Sequence, residues 1–122
     1  MAGTVLVVDD SVSMRQLVAF SLKEAGYDVV SAVHGKEALE KIDGTRFDMV
    51  ITDLNMPEMS GIEFIRQVRS RSEYKVTPIV MLMTETREPK EKEGREAGAN
   101  GGIVKPFTPQ QLVKVVRKFT KQ

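Results

Sequence analysis

Short apolar runs, each cut off by a polar residue and followed by a helical pattern, leave this chain few folds to choose from. Thr4 to Val8 is the first, β-branched and apolar until it breaks at Asp9-Asp10. Tyr27 to Val33, Met49 to Ile51, Ile79 to Met83 and Ile103-Val104 follow along the chain. Apolar runs without in-out alternation read as strands covered on both faces. Between them, apolar residues recur at helical spacing. Met14, Leu17, Val18, Ser21, Leu22 and Ala25 lead up to Gly26, and Ala38, Leu39 and Ile42 lie within Gly35 to Asp43, stopped by Gly44. Ile62, Ile65 and Val68 form a third face, and Leu112, Val115, Val116 and Phe119 a last one. Ser13 with Gln16, Ser60 with Glu63 and Thr108 with Gln111 have capping-box form, the last with Pro109 at the first helical position. Ser70 to Thr77 reads as a loop. Strands alternating with helices predict an α/β fold, and right-handed crossovers make it a three-layer, doubly wound, five-stranded parallel sheet.

The 122 residues fit one domain, 1–122, with no linker or repeat. A net charge of +1 gives no electrostatic case for nucleic acid or an anionic membrane. The absence of cysteine excludes disulfides, thiolate catalysis and zinc-thiolate sites. No apolar run approaches membrane-spanning length. The start lacks the basic flank and length of a signal peptide, so a cytoplasmic chain is expected.

The strand ends carry the chemistry. Met49 to Ile51 runs into Thr52-Asp53-Leu54-Asn55-Met56-Pro57, and Pro57 keeps the residue before it out of helical geometry. Asp53 is therefore expected at the carboxyl end of a central strand, the edge where open α/β sheets bind ligands. Asp9-Asp10, Thr84 and Lys105 reach the same edge from other strands. Three carboxylates packed together raise one another's pKa and call for a counterion. Mg²⁺ suits them, taking carboxylate, carbonyl and water oxygens, and Asn55 is placed to add its backbone carbonyl. A carboxylate beside such an ion is a nucleophile toward a phosphoryl group. Thr84 is suited to hydrogen-bond one phosphoryl oxygen, and Lys105 to pair with another.

Val7-Val8-Asp9-Asp10-Ser11, Asp53-Leu54-Asn55-Met56-Pro57 with Met59 and Gly61, Thr84, and Lys105-Pro106-Phe107 span essentially the whole chain. Together they resemble the receiver domain of bacterial two-component response regulators, most closely the CheY-like stand-alone chemotaxis regulators. The resemblance implies strand order 2-1-3-4-5 and a cis peptide at Lys105–Pro106. It implies that a histidine kinase phosphorylates Asp53, that Asp10 binds Mg²⁺ directly and Asp9 through water, and that Asn55 offers its carbonyl. Thr84 becomes the switching hydroxyl and Lys105 the phosphate-contacting cation. Such a domain accepts a phosphoryl group and slowly dephosphorylates itself without being a dedicated enzyme. It acts through protein contacts, with the kinase, a downstream target such as a flagellar motor switch, and a phosphatase as implied partners.

An intermediary of a phosphorelay, passing the group to a second histidine, is the alternative within the family. A Mg²⁺-dependent phosphatase resembling it would have a second acid two residues after the nucleophile, where Asn55 stands. A flavin module would need a hydroxyl- and glycine-rich phosphate loop where Asp9-Asp10 repel phosphate. A pseudo-receiver scaffold is opposed by a complete set of site residues.

Four positions depart from the family pattern. Ser60 replaces an aspartate but caps a helix equally well. His34 stands where a capping Asp or Asn is common and is read as incidental. Glu85 brings a charge beside Thr84, where a small residue is usual. Gly102, three residues before Lys105, occupies the place of an aromatic switch residue, so signalling is expected through backbone and helix shifts. The fourth helix is expected to be soft, because Pro89 to Glu96 has no apolar residue to bury. Glu88 with Lys92 and Glu91 with Arg95 add about 0.2–0.5 kcal/mol each. Gly94 costs roughly 1 kcal/mol against alanine.

Overall fold

The computed structural model describes residues 3–84 and 88–120. Its elements are β1 (Thr4–Val8), α1 (Val12–Glu24), β2 (Asp28–Ala32), α2 (Gly35–Gly44), β3 (Met49–Asp53), α3 (Gly61–Arg69), β4 (Ile79–Met83), α4 (Glu88–Ala97), β5 (Gly101–Val104) and α5 (Pro109–Thr120). One 3₁₀ turn, Ser72–Tyr74, joins α3 to β4. All five strands are parallel, in the order β2-β1-β3-β4-β5. The expected three-layer sandwich is thus what forms. Among the described residues no helix is long and apolar enough to cross a membrane.

Strand alternation sends side chains to two cores. Leu6, Val8, Val50 and Met81 pack with Ile42 of α2 and with Phe64, Ile65 and Val68 of α3. Val5, Val7, Met49, Ile51, Val80 and Leu82 pack with Val18 and Leu22 of α1 and Leu112 and Val116 of α5. Each fully buried Leu, Ile or Phe adds about 1.5–3 kcal/mol of hydrophobic stabilisation. Every residue of β3 is buried, so the strand carrying Asp53 is held from both sides.

Several local details differ from the sequence reading. The cap of α1 is Ser11, not Ser13: the Asp9 carboxylate accepts the Ser11 N–H at 2.9 Å, and Ser11 Oγ accepts the Met14 N–H at 3.2 Å. The helix therefore begins as soon as the acidic turn ends. Phe64, with no exposure, takes the buried place on α3, and Ile62 packs only partly. Within the segment read as loop, Tyr74 is buried because its hydroxyl is used twice, accepting from Phe47 N and donating to Thr45 O. His34 is not incidental, since its Nδ1 accepts the Glu37 N–H and caps α2. Ser60 caps α3, and Thr108 and Gln111 form the expected reciprocal box.

On α4, Arg95 pairs with Glu91 at 3.4 Å, as the spacing predicts. The side chain of Glu88 lies outside the described residues, and so does Glu85. Gly94 is buried, and a Cβ there would meet Met81 Cε at 3.1 Å and its Sδ closer still. The missing side chain is what lets the helix approach the sheet, an account that propensity alone does not give. The helix still buries little apolar surface. We expect amides of Lys90 to Glu96 to exchange about tenfold or more faster than those of Leu17 to Leu22, a gap of ~1.4 kcal/mol in opening free energy. The gap should widen in high salt. Equal protection in native-state hydrogen exchange would show α4 to be as firmly held as α1.

Candidate functional site

The carboxyl ends of four strands, β1, β3, β4 and β5, build the site. β1 stops at Val8 and delivers Asp9, which has no exposure, and Asp10, which is exposed. β3 ends on Asp53, 5% exposed. The residue before it, Thr52, donates its buried hydroxyl to the Asp53 carbonyl at 2.9 Å. β4 ends at Met83, placing Thr84 at the exposed rim. Lys105 follows β5, and its peptide bond to Pro106 is cis. Its backbone N–H donates to Met83 O, which ties the ends of β4 and β5 together.

One carboxylate oxygen from each of Asp9, Asp10 and Asp53 lies within 4.8 Å of the other two. Opposite ligands of one Mg²⁺ sit about 4.2 Å apart, twice a bond of ~2.1 Å. The cluster is all hard oxygen and partly open to solvent, so these residues fit that ion. Lys105 Nζ reaches Asp9 Oδ2 and Asp53 Oδ1, each at 3.4 Å. That separation is a pairing of charges rather than a tight hydrogen bond. Burial pushes the Asp53 pKa above the usual carboxylate value, and the Asp9 charge adds to the push. Lys105 and the Asn55 backbone N–H oppose this without cancelling it. A further cation at the cluster would favour the ionised form of Asp53.

The structure thus brings Asp9, Asp10, Asp53 and Lys105 together, with Asn55 and Thr84 at the rim. Arg15 was missed in the sequence. Its Nη1 donates to Asp9 O at 2.7 Å and braces the acidic turn from α1. Its spacing of one helical turn from Ser11 was a usable signal once the cap was placed correctly. Gly61 does more than its place in the motif discloses. A Cβ there would sit 2.6 Å from Leu54 Cα and closer still to Asp53 O, so α3 begins hard against the backbone of the site.

Gly102 does not leave a gap. It pairs with Met81 across the sheet, and a Cβ on it would meet Met83 Cε at 2.5 Å. Met83, 5% exposed, fills that space from the neighbouring strand. Strand alternation held the signal, because Met83 lies two residues from Met81 and so on the same face.

The model of the response regulator receiver domain matches residues 5–117. Chemotaxis protein CheY1 of Helicobacter pylori is 49% identical over 109 residues, covering 88% of each chain. A CheY homolog of Campylobacter jejuni is 43% identical over 109 residues, covering 88% of this chain and 84% of the relative. The solved structure of chemotaxis response regulator CheY4 of Vibrio cholerae superposes with a TM-score of 0.92 at 51% identity, covering 95% of this chain and 97% of that one.

Proposed function

This chain belongs to the response regulator receiver domain family, in its CheY-like branch, and from that premise we propose that it is a two-component signalling switch phosphorylated on Asp53. The observation that carries the reading is the convergence of Asp9, Asp10 and Asp53 on one spot, with Lys105 3.4 Å from two of them.

In the proposed reaction an Asp53 carboxylate oxygen attacks the phosphorus of a phosphohistidine in line. A P–O bond forms, the P–N bond breaks, and the released histidine nitrogen recovers a proton. Asp9, Asp10, Asp53 and the Asn55 carbonyl would hold Mg²⁺, which supplies positive charge to offset the gathering negative charge. Lys105 pairs with a phosphoryl oxygen as a point charge, and the Thr84 hydroxyl donates to another. Burial of Asp53 between β1 and β4 keeps its carboxylate aimed at the opening. The donor is a histidine kinase, the output is a phosphorylation-dependent protein contact, and a phosphatase is a further partner. The names of the relatives support chemotaxis as the pathway and a flagellar motor switch as the target. Self-dephosphorylation is slow, so the chain acts as a switch rather than a dedicated enzyme. A cytoplasmic location belongs to the same proposal.

Acetyl phosphate with Mg²⁺ should add one phosphoryl group to the chain, and Asp53→Asn or a chelator should abolish the addition. Undiminished labelling of the variant overturns the reading. A stability measurement gives a second check. With its pKa raised in the fold, Asp53 contributes stability that is fully present below the unfolded carboxylate value of about 3.9. That contribution is lost as pH rises through the higher folded pKa. In chelator at neutral pH, Asp53→Asn should therefore stabilise the chain by about 1 kcal/mol, and the gain should vanish in acid.

A further inference from the structure

Asn55 follows Asp53 by two residues and is exposed, and Lys90 Nζ donates to its side-chain oxygen at 3.0 Å across 35 residues of chain. Lys90 lies in the first turn of α4, and Gly94, one turn on, rests against Met81 from the same face. The helix therefore meets the body at a close apolar contact and, nearer the site, at a polar contact free to exchange partners.

The charges at the site give that second contact a use. Lys105 is already shared between Asp9 and Asp53 at 3.4 Å each. A phosphoryl group on Asp53 exchanges one negative charge for about two. The Lys105 ammonium does not double to match it. Lys90 holds a flexible stem and three donors, and among the described residues Asn55 takes one. We propose that Lys90 is a second phosphate-reading cation: when Asp53 is phosphorylated, its ammonium closes onto a phosphoryl oxygen and draws the first turn of α4 onto the site. The inference rests on Asp53 being the phosphoacceptor. It gives the chain a route from the site to α4 that needs no side chain at residue 102.

The test uses the whole chain with Mg²⁺ and beryllium trifluoride as the phosphoryl mimic, in the native sequence, K90Q and K90R. Glutamine is as good a helix former as lysine, so K90Q keeps α4 while losing the charge. Mimic binding is read at the amides of Asp53 and Thr84, and the response of α4 by hydrogen exchange at residues 90–96. The mimic should slow exchange in α4 by about tenfold in the native chain, the scale of one charge-assisted hydrogen bond. K90R should retain most of that effect, and K90Q should show less than about twofold. The native response should also shrink in high salt. Bound mimic with an undiminished α4 response in K90Q overturns the role of Lys90 alone. Failure of the mimic to bind the native chain overturns the phosphoacceptor reading and this inference together.

Discussion

Replacing Lys105 by methionine should destabilise the metal-free chain by about 3 kcal/mol at neutral pH, the low end of what removing one partner from a buried ion pair costs. The low end applies because the Lys105 side chain is 18% exposed and stands 3.4 Å from both carboxylates. Water therefore shares in solvating the ammonium. Its partners are less fortunate, with side chains only 1% exposed at Asp9 and 7% at Asp53. Without Lys105 one influence that lowers the Asp53 pKa is gone, while burial and the Asp9 charge remain. The penalty is therefore an ionisation penalty, greatest where Asp53 is charged and fading as acid protonates it. Urea denaturation in chelator across the acid-to-neutral range measures it. Millimolar Mg²⁺ should recover much of the loss by supplying positive charge to the same oxygens. A loss that is the same at every pH, and untouched by Mg²⁺, would mean that Lys105 acts by packing its stem.

Gly61→Ala should be at least as damaging, costing about 3 kcal/mol, the upper range for overpacking. The added methyl would lie 2.6 Å from Leu54 Cα and closer to Asp53 O, and neither atom can rotate aside as a side-chain end would. Relief requires α3 to back away or the end of β3 to bend. The Gly61 N–H donates to Leu54 O at 2.9 Å, so the same shift strains that bond too. Either movement alters the distance from Asp53 to Asp9 and Lys105. Phosphorylation by acetyl phosphate should fall more than stability alone explains. Gly44→Ala is the control, because nothing lies within 4 Å of its added Cβ. That variant should stay within about 0.5 kcal/mol of the native chain. Equal effects of the two substitutions would remove the case for close contact at Gly61.

Most of the sheet was legible because purely apolar runs have one economical use in a chain this size. Thr4–Val8 and Ile79–Met83 have the bounds the sequence suggests. The strand-end residues were legible for the same reason, since a parallel sheet sends every carboxyl end to one edge. What escaped was decided by neighbours distant in sequence. Tyr74 looks like loop until Thr45 and Phe47 supply partners for its hydroxyl. Gly94 looks like a helix breaker until Met81 appears beneath it. His34 has a ring nitrogen able to accept a hydrogen bond, but only the position of Glu37 shows it doing so. The Lys90 contact with Asn55 left no trace in either local pattern, because it depends on where α4 comes to rest.

A methionine rather than an aromatic ring lies over Gly102. An aromatic ring moves as a rigid plate and distinguishes two positions. Methionine has three rotatable bonds and a soft thioether, so its energy surface is a series of shallow wells. On the proposed function, phosphorylation of Asp53 is expected to change how many of these wells Met83 visits rather than which single one it occupies. A signal of that kind would be carried by conformational entropy. The Met83 methyl group is where nuclear relaxation would read it, as a change in order parameter with little change in mean position.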